Sequence, residues 1–459
     1  MPKEDLTILL IGSGAREHTI SCAYEKSPNV RRIIVAPGND FISYKRKKEV
    51  IVDKNCSLKN PSSLLEIAKK YKPDLVDVAQ DDALAFGTVD ILEREGFVVF
   101  GPRKQAARIE WDKKWSREFM QRHEIPQPRF RYFENEADGE QYVKELYASN
   151  PSKLLYVKAT GLCSGKGALK STSLDEAVKN IIRMKDFPNG AGKIFLVEEG
   201  LEGEEFSYYA ISDGRTYKLF KSAQDNKTVF NFDQGDQTGG MGVVSPVLVT
   251  EPIKDEIEQQ QISRAVRGMA SEQNPYKGIL YLGGIVVNGN PVNIEYNARW
   301  GDPECQVVLP SVETDYLEIV KVCLEGKLSE LNIKQDNETR VCVVGASKGY
   351  PNDYSQAKGK RIFGIDEALE MEGVNVFGAG IDVIDRKLYA NGGRLFSIVA
   401  EGKDIIEARQ RAYSAIARIS IEGNNLHYRT DIGWRDVERL RKMLGIWSLG
   451  LTYRGGINP

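Results

Sequence analysis

The segment Ile294-Glu-Tyr-Asn-Ala-Arg-Trp-Gly-Asp-Pro-Glu304 holds three groups that could do chemistry together. On a strand, Glu295, Asn297 and Arg299 share one face, because side chains alternate with a period of two. A carboxylate and an amide oxygen on that face make a hard-oxygen site for magnesium. An arginine beside them can grip a carboxylate through two parallel hydrogen bonds. Such groups are seldom buried without partners, so clustering them is costly for structure alone. A solvated strand face is the plain alternative.

Three other segments could handle a phosphate or a nucleotide. Gly12-Ser-Gly-Ala-Arg-Glu-His18 follows an apolar run and opens a helical pattern, where backbone N–H groups favour an anion. It is not a dinucleotide fingerprint. Glu17 occupies the third glycine position, and Val35-Ala36-Pro37-Gly38 ends the next strand without a ribose-binding acid. Lys158-Ala-Thr-Gly-Leu-Cys-Ser-Gly-Lys-Gly167 sets a lysine at a strand end before a glycine loop with a second lysine. Its glycines (Gly161, Gly165, Gly167) allow closure over polyphosphate, and Lys158 and Lys166 supply point charges. The residue after Lys166 is glycine, which breaks the Walker A spacing. A flexible hairpin is the alternative. Val197–Phe206 is acidic between two strand patterns, either a solvated face or a hinge where adenine meets backbone and a carboxylate meets ribose hydroxyls.

The elements that position these segments alternate at first between strand and helix. Leu6–Ile11, Arg31–Ala36, Glu49–Asp53, Asp74–Ala79 and Phe97–Phe100 are predicted strands; Leu64–Lys72 and Val89–Arg94 are predicted helices. This implies an α/β doubly wound parallel sheet, with ligands at the carboxyl ends of its strands. Those ends are the loops at Gly12–His18, Pro37–Asp40, Gln80–Asp82 and Gly101–Pro102. Lys104–His123 is predicted as one long helix, ended by Ile125-Pro126-Gln127-Pro128. Strands at Leu154–Ala159 and Lys193–Glu198 flank a helix at Leu174–Met184 opened by Ser173. Residues 204–300 suggest an antiparallel sheet interrupted by Gln234–Gly242. After a polar linker at Asn332–Glu338, strands Arg340–Ala346, Val374–Ala379 and Arg394–Ala400 and helix Ile405–Arg418 suggest a small α+β domain.

A chain of 459 residues implies two to four domains. Lysine plus arginine (63) nearly balance aspartate plus glutamate (65), so no global field draws it to nucleic acid or membrane. Six scattered cysteines and three distant histidines suggest neither a disulfide framework nor a metal knuckle. With no signal-peptide pattern and no apolar run near 18 residues, a cytoplasmic enzyme is expected.

In this order the segments resemble the ATP-grasp ligases, and within them the phosphoribosylamine–glycine ligases. GSGAREH (12–18), APGN (36–39), VKATGLCSGKG (157–167), EGLEGEEFS (199–207), SAQDNK (222–227), TGGMGVVSP (238–246), IEYNARWGDPECQ (294–306), NGGR (391–394) and YRTDIGW (428–434) carry the resemblance, which runs from about residue 6 to 440. It implies an N-terminal Rossmann-like domain (1–104), an ATP-grasp lid region (105–192), a catalytic sheet (193–332), a C-terminal α+β domain (333–442) and a tail (443–459). Lys113 and Lys158 would meet ATP phosphates under the loop Gly161–Gly167. The hinge Glu198, Glu199 and Leu201 would receive adenine, and Glu205 the ribose. Glu295 and Asn297 would hold Mg2+ or Mn2+. Asp225, Arg299 and Asp302 would position glycine and an acyl phosphate. Gly12, Gly14, Arg16, Glu17, His18, Gly38, Asn39 and Asp81 would receive 5-phosphoribosylamine. The chain departs from the family pattern at Asn226, Gln237, Asp81 and Thr160, mostly on the amine side. The competing readings are another carboxylate–amine ligase of this fold and a non-catalytic nucleotide-binding protein. A monomer is favoured.

Overall fold

The computed structural model describes residues 5–161, 163 and 167–445. Its first domain is built on β1 (Leu6–Gly12), β2 (Val30–Pro37), β3 (Glu49–Val52), β4 (Leu75–Val78) and β5 (Val99–Phe100). These run parallel in the order β3-β2-β1-β4-β5. Helices α1 (Ala15–Lys26), α2 (Pro61–Tyr71), α3 (Asp81–Ala85) and α4 (Thr88–Arg94) connect them. β1 is buried along its whole length, with Leu6, Ile8 and Leu10 in one core and Leu9 and Ile11 in another. Burial on both faces explains why it reads as a continuous apolar run.

The helix predicted over Lys104–His123 is two helices, α5 (Lys104–Trp111) and α6 (Lys113–Arg122). Asp112 takes extended backbone angles, and its side chain accepts the Trp115 N–H at 3.0 Å as an N-cap. Aspartate fits a polar position in a 3.6-residue pattern, which hides the break.

A separate unit follows: β6 (Phe130–Phe133), α7 (Glu136–Ser149), β7 (Leu155–Ala159), β8 (Ala168–Ser171), α8 (Leu174–Arg183) and β9 (Phe195–Glu199). Its sheet has the order β6-β9-β7-β8 and its own apolar core. Ser173 caps α8 as the sequence implies, accepting the Glu176 N–H.

The next strands are β10 (Glu204–Asp213), β11 (Tyr217–Leu219), β12 (Gln224–Asp225), β13 (Thr228–Phe230), β14 (Gln234–Gln237) and β15 (Gly242–Ser245). Helices α9 (Lys254–Ile257) and α10 (Arg264–Ser271), joined by a π-helical turn, lead to β16 (Lys277–Val287) and β17 (Asn290–Asn297). The single sheet expected over 204–300 is divided. Only β11-β10-β16-β17 form the second sheet, while β12 and β15 join the C-terminal one and β13 pairs β14 in a hairpin. Gly242 permits this, because a Cβ there would stand 2.6 Å from the Cys342 carbonyl oxygen. α11 (Cys305–Val308) and α12 (Tyr316–Leu324) pack back under the first domain.

The C-terminal sheet, β12-β15-β18-β23-β20, uses β18 (Thr339–Ser347), β20 (Val374–Gly378) and β23 (Arg394–Gly402). A smaller sheet adds β19 (Arg361–Phe363), β21 (Ile381–Ile384), β22 (Lys387–Ala390) and β24 (Ser420–Ile421). The remaining elements are α13 (Ile365–Leu369), α14 (Ile405–Ile416), β25 (Leu426–His427), which pairs β18, and α15 (Trp434–Met443). None of the described helices is long and apolar enough to cross a membrane.

Candidate active site

Glu295 and Asn297 close β17, and Arg299 lies just beyond its end, so the strand alternation assumed for all three holds only to Asn297. Arg299 still returns to the same place: its Nη2 donates to Asn297 Oδ1 at 3.3 Å. Glu295 is half-buried, and desolvation alone would hinder its ionisation. Lys113, Lys227, Lys158 and Arg299 outweigh burial and hold its pKa down to about 2. This carboxylate is therefore an anion waiting among cations.

One cavity is lined by Lys113, Lys158, Glu198 and Glu295. Lys158 lies one residue before the end of β7, and its Nζ lies 2.5 Å from Glu198 Oε2. Arg117 of α6 grips the same carboxylate with Nε at 2.7 Å and Nη2 at 2.9 Å, and Nη2 also donates to the Ile294 carbonyl at 2.7 Å. Burial opposes the Glu198 charge, but Arg117 and Lys158 bring its pKa to about 2. The Glu198 side chain is thus turned inward as a counter-ion. Glu199 and Leu201, at the connection from β9 to β10, are left as the more open part of the hinge. The break at Asp112 puts Lys113 at the start of α6, where its N–H donates to the Thr160 carbonyl at 3.0 Å. Gly161 and Gly167 stand on either side of the glycine loop; Gly165 and Lys166 lie outside the described residues.

An adjoining cavity is lined by Glu205, Ser207, Asp225, Lys227, Tyr281 and again Glu295. Glu205 pairs with Lys227 at 3.4 Å. Asp225 is half-buried, and its buried Oδ1 has no hydrogen-bond partner among the described residues. Desolvation and nearby Glu304 raise its pKa well above the ordinary carboxylate range. Gly240, at φ +112°, crosses directly above it; a Cβ there would meet Pro303 at 2.5 Å and Asp225 Oδ1 at 2.7 Å. Asn226, next along, is buried and donates to the Gly242 carbonyl at 3.1 Å.

The first domain delivers its strand ends to the same region. Asp81 lies 3.9 Å from Arg299. Arg16 donates to the Trp300 carbonyl at 3.0 Å, and its Nε pairs with Glu17 at 2.7 Å. Glu17 also accepts the Gly14 N–H at 2.6 Å, beside Gly12. Asn39, after Gly38, donates to the Ser13 and Gly378 carbonyls while its buried Oδ1 has no partner among the described residues. Asp302 pairs with Arg394 of β23 at 3.3 Å. Against burial, Arg394 and Arg16 keep Asp302 ionised, with its pKa lowered.

His18 is not brought to this opening. Its ring is buried edge-on to Phe41 and Phe377, and its Nδ1 accepts the Gly378 N–H at 2.9 Å. The expectation is for the Gly12–His18 loop as a whole to receive the phosphoribosyl group; within that loop the His18 ring packs inward. Three participants escaped sequence reasoning. Glu110 and Arg117 lie in the helical stretch with no local pattern to mark them. Arg394 sat in the quoted NGGR segment, which could have pointed to it.

Among the described residues no group of three or more His, Cys, Asp or Glu side chains could enclose a metal by itself. Glu295 and Asn297 nevertheless fit Mg2+, which commonly takes one or two protein oxygens and completes its shell with nucleotide phosphates and water. Two sheets facing each other across paired lysines and a carboxylate strand define this protein as an ATP-grasp ligase, an ATP-dependent enzyme that forms C–N bonds.

Its three parts match the phosphoribosylglycinamide synthetase models: N domain over residues 6–110, ATP-grasp (A) domain over 111–305 and C domain over 340–435. The chain belongs to the phosphoribosylglycinamide synthetase family. It is 37% identical over 430 residues to the phosphoribosylamine–glycine ligase of Caldanaerobacter subterraneus, covering 93% of this chain and 99% of that one. It is 38% identical over 452 residues to the trifunctional purine biosynthetic protein adenosine-3 of Bos taurus. There it covers 97% of this chain but spans only 43% of the bovine protein. The crystal structure of phosphoribosylamine–glycine ligase from Thermotoga maritima superposes with a TM-score of 0.77 at 28% identity, covering 93% and 100% of the two chains. The biotin carboxylase domain of Hydrogenobacter thermophilus 2-oxoglutarate carboxylase shares the fold, with a TM-score of 0.68 at 15% identity over 92% and 91%.

Proposed function

We propose that this enzyme joins glycine to 5-phosphoribosylamine, converting ATP, glycine and the amine to glycinamide ribonucleotide, ADP and phosphate. The observation that carries the reading is the position of Arg299. It stands where the Glu295–Asn297 strand end, Asp81 of the first domain and the Asp302 turn meet. A carboxylate is a poor acyl donor, so it is first phosphorylated to glycyl phosphate. The transferred group carries spread negative charge, and the protein acts by positioning and electrostatics. Lys113 and Lys158 receive the phosphates. Glu295 and Asn297 hold Mg2+ or Mn2+, which supplies charge neutralisation at the phosphates when bound. Arg299 orients the glycine carboxylate, with Asp225 and Asp302 around the acyl group. Gly12, Gly14, Arg16, Glu17, Gly38, Asn39 and Asp81 form the opening for the phosphoribosyl amine. The unit of β6–β9 acts as a lid that closes to keep water from the acyl phosphate.

The six cysteines are all free, which supports a reducing, cytoplasmic setting, and we favour a monomer. Coupled ADP release tests the reading, with ATP, glycine or freshly made phosphoribosylamine omitted in turn. Full turnover is expected only with all three. Equal kcat/KM with another amine or another amino acid would reassign the substrate.

A further inference from the structure

We infer that Glu110 is a positioning residue for this reaction, fixing both the Arg299 guanidinium and the backbone turn that carries it. The inference rests on the reading of Arg299 as the carboxylate grip. Glu110 lies near the end of α5 and is 6% exposed. Its Oε1 is 2.8 Å from Arg299 Nη2, and its Oε2 accepts the Ala298 N–H at 2.7 Å. The two oxygens of one carboxylate thus hold two consecutive residues. A simple counter-ion needs only the first contact.

The rest of the guanidinium shows what this arrangement leaves over. Nη2 is shared with Asn297 Oδ1, and Nη1 donates to the Trp300 carbonyl at 3.3 Å. Nε is buried and has no acceptor among the described residues. An unmet buried N–H costs stability and calls for an explanation, which an arriving carboxylate provides. Asp81 lies 3.9 Å from the same Nη2 and is the alternative acceptor. Without Glu110 the guanidinium is free to turn toward Asp81, and its unmet donor loses its aim. Glu110 therefore selects one of two orientations.

Steady-state kinetics of the full-length enzyme test this with E110Q, E110D, R299A and the double variant E110Q/R299A. The amide of E110Q keeps an acceptor for Ala298 but removes the charge. We expect the KM for glycine to rise at least tenfold in E110Q while the KM for ATP stays within about twofold. E110D should recover part of the loss. The double variant should be no worse than R299A alone, because both changes remove one function. Additive losses, or equal losses toward ATP and glycine, would overturn the inference. If E110Q does not fold, E110D is compared in the same way. An R299A enzyme with an unchanged KM for glycine would instead overturn the carboxylate-grip reading, so the two failures are distinguishable.

Discussion

At the scale of single residues, burial alone does not decide the charge of a carboxylate. Glu198 is buried and Glu295 half-buried, yet both sit near pKa 2, because cations surround them. Asp77 is enclosed too, and burial, with Glu17 adding to it, pushes its pKa up to about 7 despite the Tyr24 hydroxyl donating at 2.8 Å. Native Asp77 keeps its proton between pH 4 and 7 while the unfolded chain releases it. Stability must therefore fall as pH rises through that window, by roughly 4 kcal/mol in all. D77N avoids the cost. Relative to the parent it should gain about that much between pH 4 and pH 8 in urea unfolding; an equal difference at both pH values would refute the assignment. At the reacting centre, R299A should lower kcat/KM for glycine by roughly 3–5 kcal/mol, the scale for stranding a buried charge partner. Near-normal kcat/KM in that variant would remove Arg299 from the site. Glu295, Asn297 and Arg299 were legible because they crowd one short segment. Glu110 and Arg117 were not, because their partners lie 188 and 81 residues away and pairing at that range leaves no local pattern.

At the scale of elements, the parallel strands were legible because burial on both faces makes them continuous apolar runs. The break at Asp112 was not, since one polar residue serves equally within a helix or as a cap. The distinction matters for function, as it places Lys113 in the first turn of α6, tied to Thr160 beside the glycine loop. Asp112 also holds Arg108 through Oδ2, with Nη2 at 2.8 Å. D112A removes the cap and should cost about 1 kcal/mol. We expect a melting temperature lower by a few degrees and a raised KM for ATP with the KM for glycine little changed. A variant that melts with the parent and binds ATP normally would show that the cap does not set the position of Lys113. The division of residues 204–300 between two sheets was hidden for a different reason. β12 spans two residues and β15 four, and nothing local says which neighbour such short strands pair with.

At the scale of the molecule, the first and last domains are clasped to each other and to the middle of the chain by side-chain contacts. Arg394 reaches from β23 to Asp302, and Arg429 near the C-terminus pairs with Asp431 and Asp233 across the hairpin of β13 and β14. His18 makes the most direct clasp, from α1 to the end of β20 through the Gly378 N–H. As acceptor at Nδ1 its ring must carry the proton on Nε2 and stay neutral. Burial, with Arg46 adding repulsion, lowers its pKa well below 6.5. Below that pH the unfolded chain takes up a proton that the native ring refuses, so stability falls as pH drops, by up to about 1.4 kcal/mol per pH unit. H18N offers an amide oxygen to the same N–H but cannot titrate. It should be weaker at pH 7.5, having lost the packing between Phe41 and Phe377. By pH 5 the difference from the parent should have shrunk, because only the parent loses stability as pH falls. Urea midpoints at the two pH values measure this directly. A constant difference would mean that His18 titrates alike in both states, and that the clasp is not a buried neutral imidazole.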